Sequence, residues 1–228
     1  MQQMDVNGAY LNGQLEEEIY MIWPPVYEDG SGAFLFLLHS LYGLKQSGRA
    51  WYHKLKETLL KHNFKHVAVE HGLYIMQKDE KLQIILLWVD DLLHIGPDPD
   101  STNEIKAIHC HKFDMHDLGE PRHLIGMEIS RDYCASTVTL SQKQYIQQIL
   151  EKHWMINAKP FTTPMDPNIV LIKWTEAPND SKACTLYAAM IRSLMYAAIG
   201  TRPDISFAVQ TLSQFTQNPG PDHWVALK

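Results

Sequence analysis

Two adjacent carboxylates interrupt a long apolar stretch of the chain. The run Ile84 to Val89 ends in Asp90 and Asp91, and a second apolar run follows from Leu92 to Ile95. This order predicts a tight hairpin with the acidic pair at its turn. Carboxylates among apolar residues need a cation, a partner or a shifted pKa. On this stretch alone, an ordinary acidic turn and a metal site both stay open.

A third carboxylate, Asp5, lies in the short strand-like piece QQMDV at the start of the chain. The segment NGAYLNG follows, and its glycines and asparagines predict a sharp turn after Asp5, with Tyr10 just beyond. By itself, Asp5 reads as a surface carboxylate. A strand, a long helix and a hairpin in this order can form a βαββ unit that brings Asp5 beside Asp90 and Asp91. Three carboxylates on adjacent strand ends suit two Mg²⁺ ions, which prefer oxygen ligands.

A loop with two glycines, a lysine and an amide spans Leu41 to Gly48. An amphipathic helix is predicted after it, from Ser47 or Gly48 to about Lys61, with Trp51, Leu55 and Leu59 on one face. Glycine and lysine at a helix N-terminus can hold an anion, because free N–H groups point there. No GxxxxGK[ST] motif is present, so a plain turn before the helix is the alternative.

The rest of the chain alternates strand and helix patterns. Strands are predicted at 16–23 and 34–38, and hairpins at 73–88 and 123–140. Helices are predicted at 101–112, opened by a capping box from Ser101 to Glu104, and at 141–153, 186–199 and 204–217. His109, His111 and His116 favour a solvated or partly buried helix face, with a metal site as the alternative. Four apolar residues at helical spacing are predicted to be core: Met190, Leu194, Met195 and Ile199.

Composition limits the classes of partner. The chain has 228 residues, 45% of them apolar, which predicts a globular protein with a sizeable core. The net charge of −6 argues against a nucleic-acid binder, so such binding would need a local patch such as Lys45, Arg49, Lys54 and Lys56. Three widely spaced cysteines favour a reducing compartment over a zinc framework. No signal peptide opens the chain and no apolar run reaches the length of a membrane span, so no membrane partner is expected.

Six blocks occur in a fixed order along the chain: QMDVNGAYLNGQLEEEIYM, SLYGLKQSGRAWYHKL, LLWVDDLLHIG, FDMHDLGEPRHLIGMEI, LSQKQYIQQILEK, and TRPDISFAVQTLSQF followed by HWVALK. With these blocks the chain resembles, over nearly its whole length, the reverse transcriptase of copia-type retrotransposons. The resemblance implies an α+β fold: a right-hand polymerase palm, which is a βαββ antiparallel sheet with helices packed on one face. A helical thumb and connection region would follow.

The resemblance also implies a division of the chain. Residues 1–118 would form the palm, 119–157 the primer-grip hairpin and thumb, 158–183 a proline-rich connector, and 184–228 the helical start of the connection. The connector is marked by Pro160, Pro164, Pro167 and Pro178. In the family a fingers region precedes the first aspartate and an RNase H domain follows. We therefore expect a fragment whose polymerase activity is weak or absent in isolation.

Site residues are carried over from the resemblance position by position. The implied catalytic metal ligands, for two Mg²⁺ ions with Mn²⁺ as an alternative, are Asp5, Asp90, Asp91 and the backbone of Val6. The implied nucleotide-binding residues are Tyr10, Gly43, Lys45, Gln46 and Ser47. The implied nucleic-acid-binding residues are Arg49, Trp88, Gly119 and Gly126. Tyr10 would screen the 2′ position of the incoming nucleotide. Trp88 stands where the family usually has tyrosine, and Gly48 where it often has proline.

The function implied is RNA-directed DNA polymerase, by two-metal transfer of a nucleotide to a primer 3′-hydroxyl. The partners implied are an RNA or DNA template–primer, a dNTP, and the RNase H and integrase domains of a full-length polyprotein, in cytoplasmic virus-like particles. The alternative is an inactive retrotransposon remnant that retains template–primer binding. A more distant alternative is a metal-dependent nuclease or phosphotransferase, which would have no use for a 2′ gate at Tyr10.

Overall fold

The computed structural model describes residues 1–27, 30, 32–78, 80–166, 168–176 and 181–228. The chain forms two compact units, residues 1–121 and 122–228. Each unit combines helices with antiparallel strands, which confirms an α+β fold. The assignment of domains within the chain stays a prediction.

The first unit is built on one large sheet. In chain order its elements are β1 (Gln2–Val6), β2 (Tyr20–Ile22), β3 (Phe34–Phe36), α1 (Ser47–Lys61), β4 (Lys65–His66), β5 (Leu73–Lys78), β6 (Lys81–Trp88), β7 (Asp91–Ile95), α2 (Pro99–Lys112) and β8 (Met115–Gly119). A six-stranded antiparallel sheet has the order β4-β5-β6-β7-β1-β8. β2 and β3 pair separately and are shorter than predicted. The predicted βαββ unit of β1, α1, β6 and β7 is therefore present within a wider sheet.

The two faces of this sheet differ because successive strand residues point to opposite sides. We call one the core face. Its side chains from β1, β6 and β7 pack in one cluster with Trp51, Leu55 and Leu59 of α1 and Ile105 of α2. These strand residues are Met4, Val6, Ile85, Leu87 and Leu92. The other, the acidic face, alternates with them and carries Gln3, Asp5 and Asp91.

Of the two helices of the first unit, α1 begins where the sequence predicts and α2 begins earlier. α1 spans Ser47–Lys61, as the apolar spacing predicts, and buries its predicted face. α2 begins at Pro99, two residues before the predicted capping box. The Asp98 carboxylate accepts a hydrogen bond from the Ser101 backbone N–H at 2.9 Å, so Asp98 is the N-cap and the capping-box prediction at Ser101 is wrong. Proline at the first helical position fits this start.

The second unit has a three-stranded sheet and four helices among its described residues. They are β9 (His123–Leu124), β10 (Met127–Asp132), β11 (Thr137–Ser141), α3 (Lys143–Lys152), α4 (Ser181–Gly200), α5 (Ser206–Ser213) and α6 (Pro221–Leu227). Tyr187 and Ile191 of α4 form a core with Val209 and Leu212 of α5. The predicted core residues Met190, Leu194 and Met195 pack against it. The prediction for Ile199 is wrong, since its side chain is 81% exposed.

Part of the predicted connector packs on the second unit. The Asn218 side-chain amide donates to the backbone carbonyls of Trp174 and Glu176. Leu171 packs against the core of this unit. Pro167 and Pro178, two of the prolines that mark the connector, lie outside the described residues.

α4 differs from the expectation drawn from apolar runs. With 20 residues and a mean hydropathy of 1.3 over its apolar window, it is long and apolar enough to cross a membrane by length and composition alone. Of that window, 22% is buried inside the protein. The core helix of a soluble protein passes the same test.

Candidate active site

The Asp-Asp pair lies at the hairpin between β6 and β7, as predicted. Trp88 pairs with Asp91 across the hairpin, so Val89 and Asp90 form the turn. Val89 has a φ of 56°, a region that β-branched side chains rarely adopt. The Trp51 indole N–H donates to the Val89 carbonyl oxygen at 2.6 Å. The turn is therefore attached to helix α1 as well as to its own strands.

Asp5 joins the pair because β1 lies beside β7 in the sheet. Asp5 is opposite Asp91 in the antiparallel register, which places both on the acidic face. The Val6 backbone N–H donates to the Asp90 carbonyl oxygen at 3.0 Å. The Gln3 side-chain amide donates to Asp91 Oδ1 at 3.0 Å and orients that carboxylate. β1 thus lies directly beside the hairpin that carries Asp90 and Asp91.

The electrostatics of Asp5 reflect this crowding. Its pKa is raised above the ordinary value, first by partial burial and then by the negative charges of Asp90 and Asp91. His116 acts in the opposite direction and lowers the pKa of Asp5. Like charges that raise a carboxyl pKa create a need for a cation at this position.

His116 is a residue of this site that the sequence analysis grouped elsewhere. It lies on β8, opposite Asp5, on the side away from Asp91. His109 and His111, its neighbours in the sequence, belong to α2 instead. Only the pairing of β8 with β1 reveals the contact, and that pairing joins segments more than a hundred residues apart.

The carboxylate oxygens of these acids are suitable ligands for a divalent cation, but the three side chains are not close enough together to bind one. Carboxylate oxygens are the ligands of Mg²⁺, which usually takes only one or two from protein and the rest from water and substrate phosphates. Among the residues that the structure describes, no three His, Cys, Asp or Glu side chains are close enough together to hold a metal ion. The donor set therefore suits Mg²⁺, and the side chains would have to converge further to bind it.

The loop before α1 presents polar groups at the helix start. Gly43 has a φ of 100°, which favours glycine, and Lys45 and Arg49 are exposed. The buried Ser47 hydroxyl donates to the Leu41 carbonyl oxygen at 2.5 Å and closes the loop. Gln46, the N-cap, makes no side-chain capping hydrogen bond. The Ser47 backbone N–H donates to the Leu44 carbonyl oxygen at 3.3 Å, so the first N–H of the helix is used within the loop.

Tyr10 and Trp88 line one cavity beside the Asp-Asp turn. This cavity of about 290 Å³ also borders Gly48, Trp51, Leu87 and Val89. The Tyr10 ring lies 4.8 Å from the Tyr42 ring, centroid to centroid. The indole at position 88 is more than half exposed, so it projects from the strand end without disturbing the core.

The two remaining predicted residues, Gly119 and Gly126, belong to different units. Gly119 ends β8 in the first unit, with a φ of 72°. Gly126 lies in the turn between β9 and β10 of the second unit, with a φ of 69°. There the Tyr196 hydroxyl donates to the Ile125 carbonyl oxygen, which fixes this turn against α4.

Comparison with known proteins identifies the family. The family model described as "Reverse transcriptase (RNA-dependent DNA polymerase)" matches residues 1–167. No solved structure matches the chain. A retrovirus-related Pol polyprotein from transposon TNT 1-94 of Nicotiana tabacum is 38% identical over 100% of this chain and 18% of its own length.

Two further relatives are also transposon proteins. The retrovirus-related Pol polyprotein from transposon RE1 of Arabidopsis thaliana is 36% identical over 100% of this chain and 15% of its own length. A putative transposon Ty5-1 protein of Saccharomyces cerevisiae is 32% identical over 96% of this chain and 71% of its own length. The chain thus spans less than a fifth of the two plant polyproteins. It belongs to the reverse transcriptase family of copia-type retrotransposons.

Proposed function

We propose that this chain carries the polymerase centre of an RNA-directed DNA polymerase, with Asp5, Asp90 and Asp91 as its metal ligands. The observation that carries the proposal is the register of β1 against β7, which sets Asp5 opposite Asp91 while Val6 bonds to Asp90. The six-stranded sheet with α1 and α2 on its core face corresponds to a palm. Residues 119–157 would then supply primer grip and thumb, and 158–228 the connector and connection.

The three carboxylates, with the backbone carbonyl of Val6, would hold two Mg²⁺ ions, and Mn²⁺ is an alternative. When bound, such ions activate the primer 3′-hydroxyl and stabilise the leaving pyrophosphate. The protein's own part is positioning: Gln3 orients the Asp91 carboxylate, and the Val6 N–H holds the Asp90 backbone. The pKa of Asp5 is raised first by burial and then by repulsion from Asp90 and Asp91, and a bound cation would offset both effects.

The incoming dNTP would lie between the loop and the turn. Lys45, Gln46 and the positive end of the α1 dipole suit its phosphates. Tyr10 lines the cavity beside the turn, where a ring can exclude a 2′-hydroxyl. Gly43 and Ser47 shape the loop.

The template–primer would be held by more distributed contacts. Arg49 is exposed one residue after Gly48 and can neutralise a phosphate, while the Trp88 indole offers a stacking surface at the hairpin end. Gly119 and Gly126 would shape the primer-grip backbone. In a full polyprotein, RNase H and integrase domains would act with this one, in cytoplasmic particles.

Primer extension tests the proposal. The 228-residue chain is incubated with a DNA primer on an RNA template, dNTPs and Mg²⁺, beside Asp90→Asn and Asp91→Asn variants. Asp100→Asn, in the exposed first turn of α2, is the matched control. We expect at most weak Mg²⁺-dependent extension, and only by the wild type and the control. Extension that survives both hairpin substitutions would refute the proposed chemistry.

A second candidate is a chain that binds template–primer without copying it. The observation that favours it is the lack, among the described residues, of three acidic, histidine or cysteine side chains gathered for a metal. Salt-dependent binding of the RNA–DNA duplex without any incorporation would support this candidate. Incorporation lost on Asp91→Asn would exclude it.

A further inference from the structure

The turn that carries Asp90 is held in a conformation its sequence does not favour. Hairpin turns with positive φ usually contain glycine or asparagine, and this turn has Val89 at a φ of 56°. For a β-branched residue this is a strained conformation that persists only when the surroundings hold it. The Val89 side chain is 39% exposed, so its own packing provides little of that restraint.

The restraint comes from helix α1. The Trp51 side chain is only 2% exposed and donates its indole N–H to the Val89 carbonyl oxygen at 2.6 Å. Its ring makes an edge-on contact with Phe113, with ring centroids 5.1 Å apart. Because the ring is fixed within the core cluster, its N–H is a rigid donor aimed at the turn.

The same contact connects two parts of the proposed site. Trp51 lies one helical turn after Ser47, which closes the loop carrying Lys45 and Gln46. Val89 directly precedes Asp90, and the Val6 N–H fixes the next carbonyl, that of Asp90. One hydrogen bond thus joins the start of α1 to the strand ends that bear the acids.

We propose that Trp51 is a positioning residue: its indole N–H holds the Val89 turn in the conformation that sets Asp90 and Asp91 for metal binding. This inference rests on the proposed metal-binding role of the acids. The hydrogen bond and the turn conformation can also be tested without metal. Trp51 itself touches no metal or substrate in this account; it acts through the backbone of Val89.

Trp51→Phe is the decisive variant, because it removes the donor and keeps an aromatic ring, although a smaller one, in the core. Trp154→Phe, at an exposed position of the second unit, is the matched control. Mn²⁺ affinity is measured by the electron paramagnetic resonance of free Mn²⁺. We expect about a tenfold loss of affinity in Trp51→Phe, as for other groups that orient metal ligands, and no change in Trp154→Phe.

Amide exchange by NMR gives a second readout that does not depend on metal. We expect slow exchange of the Trp51 indole N–H in the wild type, and faster exchange of the Asp91 amide in Trp51→Phe. A Val89→Gly change in the Trp51→Phe background should restore much of the Mn²⁺ affinity, since glycine adopts positive φ without strain. A merely structural role for the ring predicts no such rescue.

The outcomes separate this inference from the proposed function. Wild-type Mn²⁺ binding that is unchanged in Trp51→Phe would overturn the positioning role and leave the metal site standing. If the wild type binds no Mn²⁺, the metal site fails, and Asp91 exchange alone decides whether Trp51 holds the turn. If Trp51→Phe does not fold, wild-type indole exchange decides: rapid exchange overturns the inference, and slow exchange supports it.

Discussion

The core face and the acidic face of the six-stranded sheet are built from the same strands but have different roles. The core face packs the hydrophobic core, and the acidic face carries carboxylates of the proposed metal site. On β1, Met4 and Val6 enter the core cluster, while Asp5 between them points to the other side. On β7, Leu92 is fully buried in that cluster, and Asp91 before it faces Asp5. Strand alternation thus keeps Asp5 and Asp91 out of the core while fixing their backbone to it. Substitutions on the two faces should separate activity from stability.

The largest effect is expected on the acidic face. Asp91→Asn should lower the rate of the weak primer extension expected of this chain by up to about a thousandfold, equivalent to about 4 kcal/mol of transition-state stabilisation. The free energy of unfolding should not fall, because the change removes a like charge beside Asp5. Extension rates and urea unfolding of the same preparation check both expectations. A variant that loses activity only by unfolding would contradict the separation of the two faces.

On the core face, Leu55→Ala should cost about 2–5 kcal/mol of unfolding free energy, since Leu55 is fully buried between α1 and the sheet. Leu60→Ala is the matched control on the same helix, where the side chain is 46% exposed. Its effect should stay within about 0.5 kcal/mol. Urea unfolding measures both, and equal losses for the two leucines would disprove the assigned helix orientation.

Two buried histidines on the core side make the fold sensitive to acid. His94 and His109 have ring centroids 5.1 Å apart, and burial lowers the pKa of His94 to about 3 and of His109 to about 4. The neighbouring groups that act on them include Lys106, Asp117 and His62. Unfolded histidine titrates near 6.5, so the unfolded state takes up protons first as the pH falls below that value.

Stability should therefore fall from pH 6.5 towards pH 5, by about 1.4 kcal/mol per pH unit for each histidine. His109→Leu should remove one histidine's share of this slope, whereas His111→Gln, at an exposed position of α2, should not. Urea unfolding across this range measures the slope. A slope that is the same in His109→Leu as in the wild type would show that His109 is not buried in its neutral form.

The smallest predicted effect is a gain in the free energy of unfolding. Asp5→Asn should raise the free energy of unfolding at pH 7 by at most about 1 kcal/mol, because the raised pKa of Asp5 marks a carboxylate that destabilises the fold when ionised. The gain should vanish as the pH falls below 4, where Asp5 is protonated in both states. Asp100→Asn provides the comparison. A loss of stability in Asp5→Asn would mean that Asp5 makes a stabilising contact instead.

Local patterns predict much of this arrangement. The apolar spacing of α1 gives both of its ends and its buried face, and the two apolar runs around Asp90 and Asp91 give the β6–β7 hairpin. These features depend on periodicity within one segment. The start of α2 was missed because the Asp98 cap lies before a proline, outside the capping box that the sequence offers.

Contacts between distant segments are not visible in such patterns. The antiparallel pairing of β8 with β1 puts His116 beside Asp5. Packing of α2 on β7 puts the His109 ring against the His94 ring. The hydrogen bond from Trp51 to Val89 joins a predicted core residue to a predicted turn, yet neither pattern specifies the bond. Ile199 fits the apolar spacing of α4, but it lies on the exposed side of the last turn, where Ala197 and Ala198 take the buried side.

The central claim is that Asp5 of β1 forms one metal site with Asp90 and Asp91 of the β6–β7 hairpin. Mn²⁺ binding to the wild-type chain and to Asp5→Asn, measured by electron paramagnetic resonance of the free ion, tests it most directly. The account predicts binding by the wild type and by Asp100→Asn, and loss of that binding in Asp5→Asn as in Asp91→Asn. Undiminished binding in Asp5→Asn, or none in the wild type, would contradict it.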